Sequence, residues 1–333
     1  MNIKAVSPAR PHTAGDLAAA RRVLESAGEA IKSLGAALDG QFTRAVDAIM
    51  AVKGRVIVSG MGKSGLIGRK IAATLASTGT PAYFVHPAEA SHGDLGAVTR
   101  QDALLMLSWR GESAELSDLI TYAKRFHIPL IGMANNPGST LLQASDVALL
   151  LPKVREACPM GLAPTTSTTL MLVLGDALAV ALMERRGFSA DQYRDFHPGG
   201  SLGRALIRVS DLMHGPDELP LVEEGASMRQ ALAAMGKYNF GCVGLVDKKG
   251  ALAGIITDGD LRRHWDRDLR NSKAGEVMTR NPKVTRADQL AAEAIAFMND
   301  KKITQLFVLD SKDKSRKPVG ILHIHDCLRA GLR

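Results

Sequence analysis

The sequence is poor in aromatic and cysteine residues. Aromatic side chains make up 4% of the 333 residues, so the chain offers no series of rings on which nucleic acid bases could stack. The three cysteines, Cys158, Cys242 and Cys327, are far apart, lack the spacing of a metal site and cannot all form pairs. This usage is typical of a protein in a reducing cytoplasm.

Long apolar runs are also missing. No stretch is apolar over the length that a bilayer requires, and the first residues lack the apolar core of a signal peptide, so we expect a globular cytoplasmic protein. The net charge of +8 comes from scattered lysines and arginines, which predicts a solvated surface with a preference for anionic metabolites. The length indicates about two domains.

A glycine-rich stretch near residue 60 organises the first half of the chain. An apolar β-branched run predicts a buried strand, after which Gly60, Gly62 and Gly65 precede a helical pattern, and together these make an anion site. The glycine spacing also fits a dinucleotide fingerprint, but Lys63 inside the loop favours a small phosphorylated or carbonyl ligand. A Walker A loop is excluded because Ile57 stands where it needs a glycine.

Strands and helices alternate through the first part of the chain. We predict strands at residues 55–59, 82–85, 103–108, 130–133 and 147–151, and helices at residues 13–34, 41–52, 64–77, 113–125 and 165–186. This alternation predicts an α/β fold with a doubly wound, five-stranded parallel sheet. Ligands of such sheets bind beyond the carboxyl ends of the strands.

An internal repeat begins near residue 209. The stretch that starts at Gly254 matches the stretch that starts at Gly320 at a constant offset of 66 residues, which is also the distance from Asp260 to Asp326. We therefore divide the chain into a first domain, residues 1–208, and a tandem pair of α/β repeats, residues 209–271 and 272–333. Repeated units usually bury their open faces against each other.

Hydroxyl residues cluster where two predicted helices begin. Ser108 and Ser113 flank one turn, where Ser113 can cap the helix and Glu112 and Glu115 suit its first turn. The same turn can hold a phosphate through the two serines and backbone N–H groups. Residues 165–169 are all Ser or Thr and open the last helix of the domain, which indicates a cap with anion contacts.

Several side chains suit proton transfer or charge stabilisation. Lys63 can neutralise an oxyanion or can be an ordinary surface lysine. Glu156 lies on an irregular loop, outside any helical pattern, beside an apolar cleft. We expect it to be a base with a raised pKa. The alternative is that it is an ordinary surface ion-pair partner. His197 titrates near neutrality, while His86 and His92 are each either ligand contacts or structural histidines.

Seven ordered motifs match one family. They are Gly60-Met-Gly-Lys-Ser-Gly65, Ala76-Ser-Thr-Gly-Thr-Pro81, His92-Gly-Asp-Leu-Gly96, Glu156-Ala-Cys-Pro159, Leu162-Ala-Pro-Thr165, Gly175-Asp-Ala-Leu-Ala-Val180 and His197-Pro-Gly-Gly200. With these motifs, nearly the whole chain closely resembles the arabinose-5-phosphate isomerases, which have a sugar-isomerase (SIS) domain followed by two CBS repeats.

The resemblance implies a function and a set of site residues. The function is interconversion of D-ribulose 5-phosphate and D-arabinose 5-phosphate, which leads to 3-deoxy-D-manno-octulosonate for lipopolysaccharide or capsule, by a homotetramer with sites between subunits. The implied catalytic residues are Lys63, Glu115, Glu156 and His197. Implied substrate contacts are Gly79, Thr80, His86 and His92, and our substrate-binding set adds Ser64, Ser108, Ser113, Thr165 and Thr166. His86 is also an implied ligand of an inhibitory zinc ion, and no cofactor is required.

We expect a cis-enediol mechanism. Glu156 moves the proton between the two carbons and His197 moves protons between the oxygens, although these two roles can be exchanged. Lys63 stabilises the oxyanion, and Glu115 orients Lys63 or a hydroxyl. One turn departs from the family's usual Ser-Asn-Ser-Gly-Glu-Ser, because Trp109 replaces the asparagine and Arg110 replaces the second serine. Arg110 can replace the serine's phosphate contact with a charged one, and Trp109 can narrow the pocket.

Two other functions fit the sequence. The first is a non-catalytic sugar-phosphate sensor, because the SIS fold also serves regulators, although no basic recognition helix precedes the sheet. The second is a nucleotide or sugar-nucleotide sensor in the CBS pair. There the resemblance places Thr257 with Asp260, and His323 with Asp326, at the ribose-contacting positions of the two repeats.

Overall fold

The computed structural model describes residues 13–197, 200–266, 268–311 and 315–332. Pro198 and Gly199 of the motif that begins at His197 lie outside these residues. The chain forms two compact units, Met1–Ser189 and Ala190–Arg333, which are described separately below. The domain limits that we derived from the sequence stay a prediction.

The first unit is built on a five-stranded sheet. The strands are β1 (Val56–Gly60), β2 (Ala82–Phe84), β3 (Ala103–Leu107), β4 (Leu130–Ala134) and β5 (Val147–Leu150). Their order is β2-β1-β3-β4-β5 and every pairing is parallel. The predicted doubly wound parallel sheet is therefore confirmed.

Helices cover both faces of this sheet. They are α1 (Thr13–Ala37), α2 (Gly40–Ala51), α3 (Gly62–Ser77), α4 (Pro87–Ala90), α5 (Ser117–Phe126), α6 (Thr140–Ala144) and α7 (Thr166–Arg185). Alternate residues of β1 serve opposite faces: Val58 packs with Ile71 and Leu170, whereas Ile57 packs with Leu119 on the other side. Each such fully buried aliphatic side chain contributes about 1.5–3 kcal/mol of transfer free energy.

Helix α7 is the most apolar helix of this unit. Among the described helices it alone is long and apolar enough, by length and composition, to cross a membrane, and half of its most apolar window is buried in the fold. It packs closely on α3, since a Cβ at Gly175 would lie within 2.3 Å of the Ile71 side chain. A buried core helix passes the same length and composition test, so this is weak evidence for a membrane span.

The second unit contains the repeat. Helices α8 (Ala190–Phe196) and α9 (Ser201–Ala205) come first. Repeat one has β6 (Leu221–Glu223), α10 (Met228–Tyr238), β7 (Cys242–Val246), β8 (Leu252–Thr257) and α11 (Asp258–Arg263). After α12 (Ala274–Val277) and β9 (Thr279–Arg280), repeat two has β10 (Val284–Arg286), α13 (Ala291–Lys301), β11 (Gln305–Leu309), β12 (Pro318–His323) and α14 (Ile324–Arg329).

The two repeats share a core. Their sheets run in the orders β6-β7-β8-β9 and β10-β11-β12. Phe240 and Leu252 of repeat one pack with Phe307 and Ile321 of repeat two, and Phe307 is fully buried. The expectation that the repeats bury their open faces against each other is confirmed.

Candidate active site

A pocket of about 470 Å³ opens at the carboxyl ends of β1 and β3 in the first unit. Four segments converge on it: the start of α3, the turn after β3, the loop after β5 and the start of α7. Predicted site residues in its lining are Ser64, Ser108, Ser113 and Glu156, and Trp109, Arg110, Glu112, Ser167 and Thr168 also line it. The sheet therefore brings together hydroxyls and carboxylates that lie up to about a hundred residues apart in sequence.

The turn after β3 is fixed by hydrogen bonds around a glycine. Gly111 has φ +75°, and its N–H donates to both the carbonyl and the hydroxyl of Ser108, each at 3.1 Å. The Ser108 and Ser113 hydroxyls bond each other at 2.9 Å. The expected cap by the Ser113 side chain is wrong, because a 3-10 turn at Ala114–Leu116 precedes α5 and Ser113 turns its hydroxyl towards Ser108 instead.

Glu156 is bound by the start of α7. Its Oε2 accepts hydrogen bonds from the N–H and the hydroxyl of Thr165, at 2.8 and 3.0 Å, and from the N–H of Ser167 at 3.3 Å. Burial alone would raise the pKa of Glu156, but the bonds from Ser167 and Thr165 outweigh it and lower the pKa. The expected raised pKa is therefore wrong, since a helix N-terminus rather than an apolar wall faces this carboxylate.

Glu112 makes a contact that the sequence did not indicate. Its carboxylate accepts bonds from the N–H and hydroxyl of Thr140, at 2.9 and 2.7 Å, and so binds the start of α6 rather than its own following helix. The hydroxyl bond and then the N–H bond of Thr140 lower the pKa of Glu112. Only the tertiary fold brings these residues together, because they are 28 positions apart.

The other implied catalytic residues lie outside this lining. Lys63 and Glu115 are exposed, at the start of α3 and in the turn before α5. His197 belongs to the second unit, where its Nδ1 lies 2.7 Å from the Tyr193 carbonyl oxygen and its ring stacks on the Tyr193 ring. The joint action of these residues with Glu156 stays a prediction.

Three buried polar atoms in the first unit have no hydrogen-bond partner within the described part of the chain: Thr80 Oγ1, His86 Nδ1 and Thr166 Oγ1. All three belong to the predicted substrate-binding set. His92 is exposed. The fold itself requires a glycine at position 79, since this residue has φ +90° and a Cβ there would lie 2.5 Å from the Phe188 ring.

His86 does not form a ready-made zinc centre. Among the residues that the structure describes, no group of three or more His, Cys, Asp or Glu side chains is placed to hold a metal ion. A zinc ion at His86 would therefore need further ligands from outside this constellation.

In the second unit, the predicted ligand contacts Thr257 and His323 act as helix caps. The Thr257 hydroxyl donates to Asp260 at 2.6 Å and caps α11, while Arg263 and Thr279 also bond Asp260. Burial would raise the pKa of Asp260, but the bonds from Thr257, Arg263 and Thr279 lower it. A cleft of about 570 Å³ is lined by Thr257, Arg262, Lys302, His323 and His325, among others, and neither Asp260 nor Asp326 is in its lining.

Two family matches follow the two units. Residues 49–181 match the SIS domain, and residues 209–267 and 274–333 match the CBS domain. Fold and pocket thus define a protein with a sugar-isomerase domain followed by a CBS pair.

Relatives identify the family more closely. Over 94% of its length the chain is 51% identical to arabinose 5-phosphate isomerase KdsD of Pseudomonas aeruginosa, covering 96% of that protein, and 47% identical to KdsD of Escherichia coli K12, covering 95% of it. The solved structure of E. coli CFT073 c3406 in complex with A5P is 34% identical and covers 56% of this chain and 100% of that one, with a TM-score of 0.55. The chain belongs to the arabinose 5-phosphate isomerase family.

Proposed function

We propose that this protein interconverts D-ribulose 5-phosphate and D-arabinose 5-phosphate. Its full-length relatives carry the name of this activity, and a similar structure is a complex with A5P. The observation that carries the proposal is the pocket after β3, in which the Glu156 carboxylate lies among the hydroxyls of Ser64, Ser108 and Ser113. The product would feed the synthesis of 3-deoxy-D-manno-octulosonate.

Glu156 is the proposed base. Since its pKa is lowered, it is a carboxylate at neutral pH and can accept a proton. It removes the proton from the carbon next to the carbonyl, which gives a cis-enediol, and returns it to the neighbouring carbon. His197 moves the proton between the two oxygens, Lys63 stabilises the negative oxygen and Glu115 orients Lys63. The step balances without a metal or redox cofactor, because one proton leaves and one returns.

The phosphate of the substrate is proposed to bind at the turn after β3. Ser108, Ser113 and Arg110 of this turn line the pocket together with Thr168 of α7, so that hydroxyls and a positive charge are both present. Within the described residues the Arg110 guanidinium has no hydrogen bond or ion pair, so it is available for a ligand. A guanidinium can bind phosphate through two parallel N–H donors.

We further propose a cytoplasmic homotetramer whose active sites are completed between subunits. The exposed side chains of Lys63 and Glu115 support this, because they lie outside the pocket lining and are accessible to a partner subunit. The three free cysteines support a reducing compartment.

The cleft of the second unit is the proposed site of a nucleotide or sugar-nucleotide effector. Arg262 and Lys302 bring positive charge to its lining, next to Thr257 and His323. Isothermal titration with ATP, AMP and a sugar nucleotide measures this directly. Heat of binding that is lost in Arg262→Ala supports the site, and the absence of heat from all three ligands rejects it.

Product analysis tests the main proposal. The purified chain is incubated with ribulose 5-phosphate in deuterated water, and the mixture is followed by NMR. We expect arabinose 5-phosphate with deuterium at the exchanged carbon. Saturable ribulose 5-phosphate binding with neither product nor exchange would instead identify the non-catalytic sensor.

A further inference from the structure

Helix α1 carries a stripe of exposed apolar side chains at a constant interval of seven residues. Leu17, Leu24 and Ile31 lie on the helix and Leu38 follows its end, and these side chains are 61%, 71%, 38% and 47% exposed. Because an α-helix has 3.6 residues per turn, residues seven apart lie almost in line along its surface. We call these four residues the α1 stripe.

The α1 stripe is separate from the side of α1 that the unit already buries. Ala30 and Leu34 belong to the main core, where α1 packs against α7. At 100° per residue, the stripe lies next to this buried side, and the charged residues other than Asp16 occupy the rest of the circumference. The helix is therefore apolar over a wider arc than the rest of its own unit covers.

Two glycines beside the stripe point to a close neighbour. Gly28 and Gly35 lie in the helix interior, again seven residues apart, and a Cβ at either position would meet no atom within 4 Å. Each costs about 1 kcal/mol of helix stability relative to alanine, and no neighbour among the described residues requires the missing side chain. Small residues next to an apolar stripe allow the backbone of a second helix to approach closely.

The charged residues beside the α1 stripe favour a second copy of this helix in the antiparallel direction. Glu25 and Lys32 directly follow Leu24 and Ile31 in sequence, and both are exposed. If a second copy packs antiparallel, with Leu24 against Ile31, each Glu25 lies near the other copy's Lys32. In a parallel pair, Glu25 of one copy and Lys32 of the other would lie on opposite sides of the contact and could not form this ion pair.

We propose that the α1 stripe packs against the α1 stripe of a second copy of this chain, with the two helices antiparallel. Such a contact is isologous, because the same surface serves both protomers around a two-fold axis. A seven-residue apolar repeat is the pattern by which helices pack side by side over several turns. The inference does not depend on the proposed reaction, since neither test below measures isomerisation.

Oligomeric mass tests the contact. The full chain with Leu24→Asp and Ile31→Asp is compared with the wild type by light scattering after gel filtration. We expect its mass to fall by a factor of two. The control Arg22→Asp with Ser33→Asp, on the opposite side of α1, should keep the wild-type mass. If the aspartate pair reduces the far-ultraviolet circular dichroism, Leu24→Ala with Ile31→Ala replaces it and should raise the dissociation constant about tenfold or more.

Disulfide trapping tests the direction. Leu17 and Leu38 are separated by about 30 Å along the helix direction, since each residue advances about 1.5 Å. Leu17→Cys and Leu38→Cys chains carrying different tags should form a mixed disulfide dimer and should not link to themselves, while oxidised wild type stays unlinked. A wild type with the mass of one chain, an unchanged mass in the aspartate variant, or self-linked Leu17→Cys would each overturn the proposal.

Discussion

The two units of this protein bind their hydrogen-bonded carboxylates in different ways. In the first unit, Glu156 and Glu112 accept bonds from N–H and hydroxyl groups at the starts of α7 and α6. In the second unit, Asp260 is bonded by Thr257, Arg263 and Thr279 and Asp326 by His214 and Arg329, so that each carboxylate has a cation beside it. Helix amides hold a carboxylate without neutralising it, whereas an adjacent cation neutralises it.

Within the second unit, the two repeats use different residues at an equivalent position. His214 and Thr279 each follow a methionine at the start of their repeat, Met213 and Met278. His214 Nε2 lies 3.1 Å from Asp326 of repeat two, and the Thr279 hydroxyl lies 3.0 Å from Asp260 of repeat one. The repeats therefore exchange equivalent contacts, but His214 titrates whereas Thr279 does not.

The largest effect should follow from removing the charge of Glu156. Glu156→Gln keeps an oxygen for the α7 amides but cannot accept the proton, so we expect kcat to fall about 10²- to 10⁴-fold. Exchange of the substrate hydrogen with solvent should fall in parallel, while Glu184→Gln, at the exposed end of α7, should remain within about twofold of wild type. Retained exchange in Glu156→Gln would show that another group is the base.

Arg110 lines the pocket of the first unit and has no hydrogen bond or ion pair among the described residues, so its loss should affect binding. In Arg110→Ser we expect KM to rise about 10- to 100-fold with little change in kcat, since a charge-assisted bond contributes about 1.5–3 kcal/mol. Arg125→Ser, exposed on α5, is the control and should leave KM unchanged. Equal KM values for wild type and Arg110→Ser would place the phosphate elsewhere.

Asp260 should matter for stability rather than for isomerisation. Asp260→Ala removes the α11 cap and the bonds to Arg263 and Thr279, so we expect a loss of about 2–3 kcal/mol in the free energy of unfolding of the second unit. Urea unfolding measures it, with the exposed Asp258→Ala of the same helix as the control, for which we expect under about 1 kcal/mol. Equal losses in the two variants would contradict the role of the buried cap.

The smallest effect concerns His214. Burial lowers the pKa of His214, but the bonds to Glu218 and Asp326 outweigh this and raise it above 6.5. The stabilisation is therefore complete below about pH 6.5 and is lost as pH rises through the raised pKa. Since Glu218 is exposed, we expect His214→Gln to cost under about 1 kcal/mol at pH 6 and less at pH 8.5.

Thr279→Val provides the comparison for this pH series, because Thr279 does not titrate. Its effect on the free energy of urea unfolding should be the same at both pH values. A His214→Gln effect that does not change with pH would mean that the contact with Asp326 does not depend on the charge of His214.

The sequence predicted the first unit well because its signals are local. The five strands lie within two residues of their predicted ends, since each is a short apolar run between polar or turn-forming residues. The repeat was also visible, because corresponding residues keep a fixed offset. The contacts of Glu112 with Thr140 and of His214 with Asp326 were missed, since residues 28 and 112 positions apart have no periodic relation.

The sequence by itself determined the parallel sheet, the tandem repeat and the side chains available at the carboxyl ends of the strands. Local propensity and apolar spacing along the chain specify these features. Only the tertiary structure decided that Glu156 faces a helix start and has a lowered pKa, and that Asp260 and Asp326 are bound by groups from the other repeat. The state of a charge depends on which dipoles and ions surround it in space, and sequence distance does not measure that.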